Sequence, residues 1–147
     1  MSGLLNVSEA TALAVHSMMY LETHRDRKVS TREIAVEFSA SEAHLAKVMQ
    51  RLVKAGLVGS IRGPKGGFNL KKPGKDITLY DLYELFEGPV PEHKCLFHEP
   101  VCLHENCAMN GFLDKIHDYA MNYMTTTSLI DIAQRYRKGI NHDQKNS

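Results

Sequence analysis

Cys95, Cys102 and Cys107 fall within thirteen residues of a 147-residue chain, in a segment that also holds His93, His98, Pro100 and His104. Thiolates are soft donors that select iron–sulfur clusters, zinc or Cu(I). An odd number of clustered cysteines argues against a disulfide framework in a reducing compartment, so metal or redox chemistry is expected. Three cysteines plus one histidine are a familiar zinc set, and zinc is the alternative metal. The spacing Cys95-x6-Cys102-x4-Cys107, however, lacks the C-x2-4-C pairs usual in structural zinc sites. The plain alternative is three semi-buried thiols acting as small hydrophobes, which fits poorly with a polar, proline-containing loop. A nucleophilic cysteine paired with His98 or His104 would be an enzyme's arrangement. No nucleophile elbow, phosphate loop or paired carboxylates accompany it, and Gly63-Pro-Lys-Gly-Gly67 lacks the Walker spacing, so no enzymatic turnover is expected.

The second set of chemistry-bearing residues is cationic. Residues 25–75 carry twelve Lys or Arg against four Asp or Glu, a balance of +8, while the rest of the chain stands at −7. A net charge of +1 therefore conceals one end able to attract a polyanion. An iron–sulfur electron-transfer protein without DNA binding is the alternative of another class, and it would leave that basic stretch without a purpose.

The elements that must hold these residues follow from caps and periodicity. Ser8 caps a first helix to about residue 24, with Leu13, Ala14, Met18 and Leu21 at helical spacing. Ser30-Thr-Arg-Glu33 is a capping box opening a second, short helix through Phe38. After a tight turn, Ser41 caps a third helix to about Ala55, with Leu45, Val48, Met49 and Leu52 inward and Gly56 at its end. Two short helices joined in this way form a helix-turn-helix, whose second helix enters the DNA major groove. Its outward face is expected to show His44, Lys47, Arg51 and Lys54, with Thr31 and Ser41 at helix starts where phosphates are contacted.

Between 57 and 72 the period changes to two, with Leu57, Gly59 and Ile61 alternating against Val58, Ser60 and Arg62. That predicts a hairpin whose tip, Arg62-Gly63-Pro-Lys65-Gly-Gly67, tolerates positive φ and carries two cations, a wing beside the duplex. Thr78 and Asp81 cap a further helix, Leu79 to Glu87, stopped by Gly88-Pro-Val-Pro91. Beyond the cysteines, Phe112, Ile116, Tyr119, Tyr123, Thr126, Ile130 and Ala133 form a seam suited to helix-on-helix packing. Thr125–Ser128 is expected to divide it into a longer helix and a shorter one recapped by Ser128 and Asp131.

The fold class is thus mainly α with a small β-hairpin, a winged helix-turn-helix plus a long dimerisation helix. Residues 1–88 would form the DNA-binding domain, 89–108 the cysteine-containing loop, 109–137 the dimerisation helix and a short C-terminal helix, and 138–147 a flexible tail. At 43% hydrophobic and 24% charged, the composition is that of an ordinary globular chain and excludes wholesale disorder. No stretch reaches the roughly 18–20 uninterrupted apolar residues of a membrane span. The first 26 residues lack a basic start and an A-x-A-like cleavage site, so they do not read as a signal peptide, and a cytoplasmic location is expected.

Ser30-Thr-Arg-Glu-Ile-Ala35, His44-Leu45, Lys54-Ala-Gly-Leu-Val58, Arg62-Gly-Pro-Lys-Gly-Gly-Phe68, Ile77-Thr-Leu79 and Glu87-Gly88 together resemble the Rrf-two family of winged helix-turn-helix regulators, the IscR-, NsrR- and RirA-like proteins. The resemblance covers residues 4 to about 135. It implies a bacterial homodimer on a pseudo-palindromic operator of double-stranded DNA. It also implies a 2Fe-2S or 4Fe-4S cluster on Cys95, Cys102 and Cys107, although the cysteines of several members are more evenly spaced. For the fourth ligand, the IscR-like position holds Asn110 and the position used by nitric oxide sensors holds Ala12, both departures. His16 aligns with a ligating histidine of a redox-sensing member and is the leading candidate, from the partner subunit. Glu9, His98, and His104 with Glu105 are the others. Where IscR-like proteins carry an acidic residue that discriminates operators, this chain has Ala46.

Overall fold

The protein is described by a computed structural model over residues 5–92, 95–97, 99, 101–102, 107–109 and 111–143. The expectations attached to His93, His98, His104, Glu105 and Asn110 lie outside the described residues.

Six helices and one hairpin are described. Helix α1 (Glu9–Thr23) is capped by Ser8, whose hydroxyl accepts from the Thr11 N–H at 3.2 Å. The Glu87 carboxylate accepts a further N–H, that of Ser8, at 2.7 Å and the Thr11 hydroxyl as well, fastening this helix end to a residue distant in sequence. Helices α2 (Thr31–Glu37) and α3 (Glu42–Lys54) start at the predicted caps, Ser30 and Ser41. The turn between them includes Ser39 at φ 50, a left-handed residue whose N–H reaches the Val36 carbonyl at 3.3 Å.

Strands β1 (Val58–Ile61) and β2 (Gly67–Leu70) pair antiparallel, Val58 opposite Leu70 and Ile61 opposite Gly67. Leu57 and Val58 are both buried while Ile61 is 50% exposed, and Leu57 still belongs to the turn that ends α3, where its N–H reaches the Leu52 carbonyl at 3.1 Å. Val29 adds a third, one-residue rung by exchanging two hydrogen bonds with Phe68, at 3.0 and 2.8 Å. That close approach demands Gly67, since a Cβ there would sit 2.9 Å from the Val29 carbonyl oxygen.

A short 3₁₀ turn (Gly74–Asp76), not expected from the sequence, precedes α4 (Leu79–Glu87). The Thr78–Asp81 capping box of α4 is complete, and Gly88 at φ 82 ends the helix. Helices α5 (Phe112–Thr126) and α6 (Leu129–Asp143) are divided at Thr127, and α6 is recapped by Asp131, which accepts from the Ser128 N–H at 2.9 Å. The two helices are equal in length rather than long and short, and α6 continues well past residue 137. Its extension has a tertiary cause. Ile132 and Tyr136 pack on the core, Tyr136 donates to Glu37 of α2, and Arg137 donates to the Thr23 carbonyl at 3.1 Å. Such packing outweighs the poor helix propensity of Gly139 and Asn141.

One main core joins α1, α2, α3, the hairpin, α4 and α6 through Met18, Ile34, Leu45, Met49, Leu52, Leu82 and Leu129, all without solvent exposure. Each such side chain contributes about 1.5–3 kcal/mol. Helix α5 joins a much smaller cluster, in which Met124 meets Tyr83 and Val90.

Candidate nucleic-acid interface and cysteine segment

The reading head is built on the α2–α3 unit. The Ser41 hydroxyl is used internally, accepting from the His44 N–H at 3.3 Å, and Thr31 is the first residue of α2. Lys47 is exposed and takes part in no ion pair among the described residues. His44 is half-buried, with Nδ1 3.8 Å from the Glu9 carboxylate of α1. Arg51 is exposed, as expected, but its guanidinium is not free. Its guanidinium lies 4.5 Å over the Phe86 ring and donates to the Leu85 carbonyl at 2.7 Å, so stacking and a charge-assisted hydrogen bond turn it toward α4.

Arg62, Gly63 and Lys65 occupy the exposed tip of the hairpin, where the Gly66 N–H closes the turn on the Gly63 carbonyl at 2.9 Å. Gly63 sits at φ 111, a conformation that excludes ordinary side chains. Between the wing and the α1–α2 connector lies an open cleft of about 580 Å³, lined by Arg25, Arg27, Lys28, Lys65 and Asn69 among others. Arg25 pairs with Glu22 at 2.7 Å and donates to the Lys72 carbonyl at 2.8 Å. Arg27 pairs with Glu33, holding that carboxyl below its ordinary value, while burial and Glu33 together push the Tyr20 phenol upward. In the sequence, residues 24–28 are polar and lie between two helix caps, with no sign of a partner. The contact with the wing depends on the Val29–Phe68 rung, which no local pattern announces.

In the cysteine segment, Cys95 and Cys107 are half-buried and Cys102 is exposed, and all three thiols are free. Among the described residues no three His, Cys, Asp or Glu side chains converge in metal-binding geometry, so the structure does not bring the three thiols together with a fourth donor. Apolar exposure concentrates here and along α5. Phe97 and Val101 are exposed, as are Phe112, Tyr123 and, at 73%, Tyr119. His16 lies on the exposed side of α1. Its Nδ1–H donates to the Ala12 carbonyl at 2.6 Å and its ring meets Phe38 edge-on at 5.2 Å. No helix among the described residues is long and apolar enough to cross a membrane.

A capped helix-turn-helix followed by a basic, glycine-tipped wing defines a winged-helix DNA-binding regulator. The sequence pattern of the Rrf2 (Rrf-two) family, described as "Iron-dependent Transcriptional regulator", matches residues 7–135, and the chain belongs to that family. A protein of Aquifex aeolicus described as an HTH-type transcriptional regulator is 31% identical over 128 residues, covering 85% of this chain and 89% of its own. Among solved structures, CymR, the global cysteine regulator of B. subtilis, is similar with a TM-score of 0.73 at 28% identity, over 89% of this chain and 98% of that one. T. potens IscR is similar with a TM-score of 0.71 at 26% identity, over 92% and 90%. The homologues are transcription regulators, and no enzymatic activity is indicated.

Proposed function

We propose that this DNA-binding regulator works as a homodimer on a pseudo-palindromic operator, with its affinity set by an iron–sulfur cluster held by Cys95, Cys102 and Cys107. The observation that carries this reading is the position of three free thiols on the partly exposed segment between α4 and α5, in a chain of an iron-dependent regulator family. The donor chemistry fits a soft metal centre. Because the thiols are not gathered beforehand, binding would be coupled to a change in the shape of the segment. Bound, the cluster would supply a centre whose charge and ligation respond to redox state, nitric oxide or iron status.

The protein's own residues would do the rest. The Nδ1 of His16 faces the Ala12 carbonyl, so in the neutral imidazole Nε2 is the nitrogen left to ligate a metal. That supports His16, from the partner subunit, as fourth ligand ahead of His104. The Phe38 ring beside His16 belongs to the residue that ends α2, which links the ligand position to the helix-turn-helix. The exposed Phe112, Tyr119 and Tyr123 of α5 suit a second copy of the same helix, and an unpartnered apolar stripe of this kind marks an association surface. The segment 95–107 leads directly into α5, so its conformation bears on the separation of two reading heads. A coupling of about 1–3 kcal/mol between segment and operator is enough for a switch.

The test is iron, acid-labile sulfide and zinc per chain after anaerobic purification, followed by operator binding of Cys102→Ala. Iron and sulfide in equal amounts, with a variant that folds but no longer responds, are expected. Zinc alone, or no metal after reconstitution, overturns the proposal.

A further inference from the structure

Helix α3 buries Leu45, Val48, Met49 and Leu52, and each residue turns the helix by about 100°. His44 and Arg51, seven positions apart, lie on one flank of that stripe, and both are engaged by the body of the domain, His44 with Glu9 and Arg51 with Phe86 and Leu85. The face opposite the stripe consists of Ala43, Lys47, Gln50 and Lys54, all exposed. Ala43 is small, and half-buried Ala46 stands beside it, so the first turns of the helix can approach a groove floor closely. Within its middle turns this face carries two long polar heads, the Lys47 ammonium and the Gln50 amide.

We infer that α3 reads its operator through Lys47 and Gln50, and that Gln50 is a sequence-determining residue selecting an adenine. A glutamine amide offers a donor and an acceptor side by side, matching N7 and the N6 amino group of adenine in the major groove, whereas an ammonium matches O6 and N7 of guanine. The Ala43 methyl suits contact with a thymine methyl. His44 and Arg51 seat the helix against α1 and α4 and carry no base information. The inference rests on DNA binding alone and is independent of the cysteine segment.

The experiment is selection from a library of randomised duplexes, with the full-length chain both reconstituted with iron and sulfide and metal-free, comparing the unmodified protein with Gln50→Ala, Lys47→Ala and Arg51→Ala. Circular dichroism melting of each variant reports its fold. Gln50 is exposed and alanine is a strong helix former, so Gln50→Ala should melt as the unmodified protein does. It should lose preference at one A·T position per half-site by about five- to 150-fold and keep the others. Lys47→Ala should do the same at a guanine, and Arg51→Ala should lower the melting temperature without changing the selected sequence. A Gln50→Ala profile that superimposes on that of the unmodified protein overturns the inference, as does loss of a single-base preference in a fully stable Arg51→Ala. Salt-dependent binding with no enriched sequence also overturns it while leaving DNA binding standing. Absence of any DNA binding by the unmodified protein would remove both.

Discussion

The reading half and the cysteine-bearing half of this chain are stabilised on different principles. In the first, every helix has a side-chain cap: Ser8 for α1, Ser30 for α2, Ser41 for α3 and the Thr78–Asp81 box for α4. Their apolar stripes meet in one continuous core. In the second, α5 begins at Gly111 in the left-handed conformation with no side-chain cap, and only Leu113 and Met124 of its fifteen residues are buried. A region with few buried contacts changes shape at low cost, which suits a sensor, whereas a reading head must keep its geometry. On the proposed function, stability and responsiveness would fall to different stretches of sequence.

That contrast can be broken most directly by truncation. Leu52→Ala should lower the unfolding free energy by about 2–5 kcal/mol in urea titration, since Leu52 has no exposure and leaves a cavity on every side. Cys102→Ala, on an exposed segment, should stay within about 0.5 kcal/mol of the parent. Equal costs would mean that the cysteine segment is structural after all. A smaller effect is expected for Tyr119→Glu. With 73% of its surface free in the protomer, Tyr119 has little to lose on its own, but in the proposed dimer its substitution should weaken association by about tenfold or more, or about 1.4 kcal/mol, measured by sedimentation.

An effect smaller than that of Tyr119→Glu is expected for Glu87→Gln, at about 1 kcal/mol near neutral pH. Hydrogen bonds from Ser8 and Thr11 hold the Glu87 carboxyl below its ordinary 4.5. Its stabilisation is therefore complete above that value and fades as the pH falls toward the lower folded value. Melting curves of parent and variant should converge in acid, and a constant gap down to strongly acid pH would show that the Glu87 charge plays no part in closing the first helix.

Much of the reading half is legible in the sequence because its information is local. Ser30, Ser41, Thr78 and Gly88 are caps acting within one turn, and the helices they bound are found where those residues place them. The placement of Arg51 is not local. A helical wheel puts it beside the outward face, and only the arrival of Phe86 from α4 decides which way it turns. A glutamine among cations carries no charge signal, so Gln50 does not stand out in the sequence, yet the buried stripe of its own helix sets its direction. Which side of the wing faces inward is not legible, as a four-residue strand gives alternation too little length to fix its phase. Residues near 138–143 combine glycine, asparagine and charge, so helix there follows from contacts made by Tyr136 and Arg137 with distant elements. In the cysteine segment the sequence supplies donor types, and the described residues add their exposure without assembling them.

The break between α5 and α6 has a mechanical consequence. The Leu79 N–H reaches the Thr127 carbonyl at 2.9 Å and the Leu129 N–H reaches the Ile77 carbonyl at 2.8 Å, so the starts of α4 and α6 are pinned together where α5 ends. Fifteen residues at 1.5 Å each give α5 a length of about 22 Å, and a tilt of about ten degrees around that pin carries Phe112 through about 4 Å. In the proposed switch, α5 would act as a lever with its fulcrum at Thr127 and its other end toward the thiols, where a small rotation becomes a stroke of side-chain dimensions.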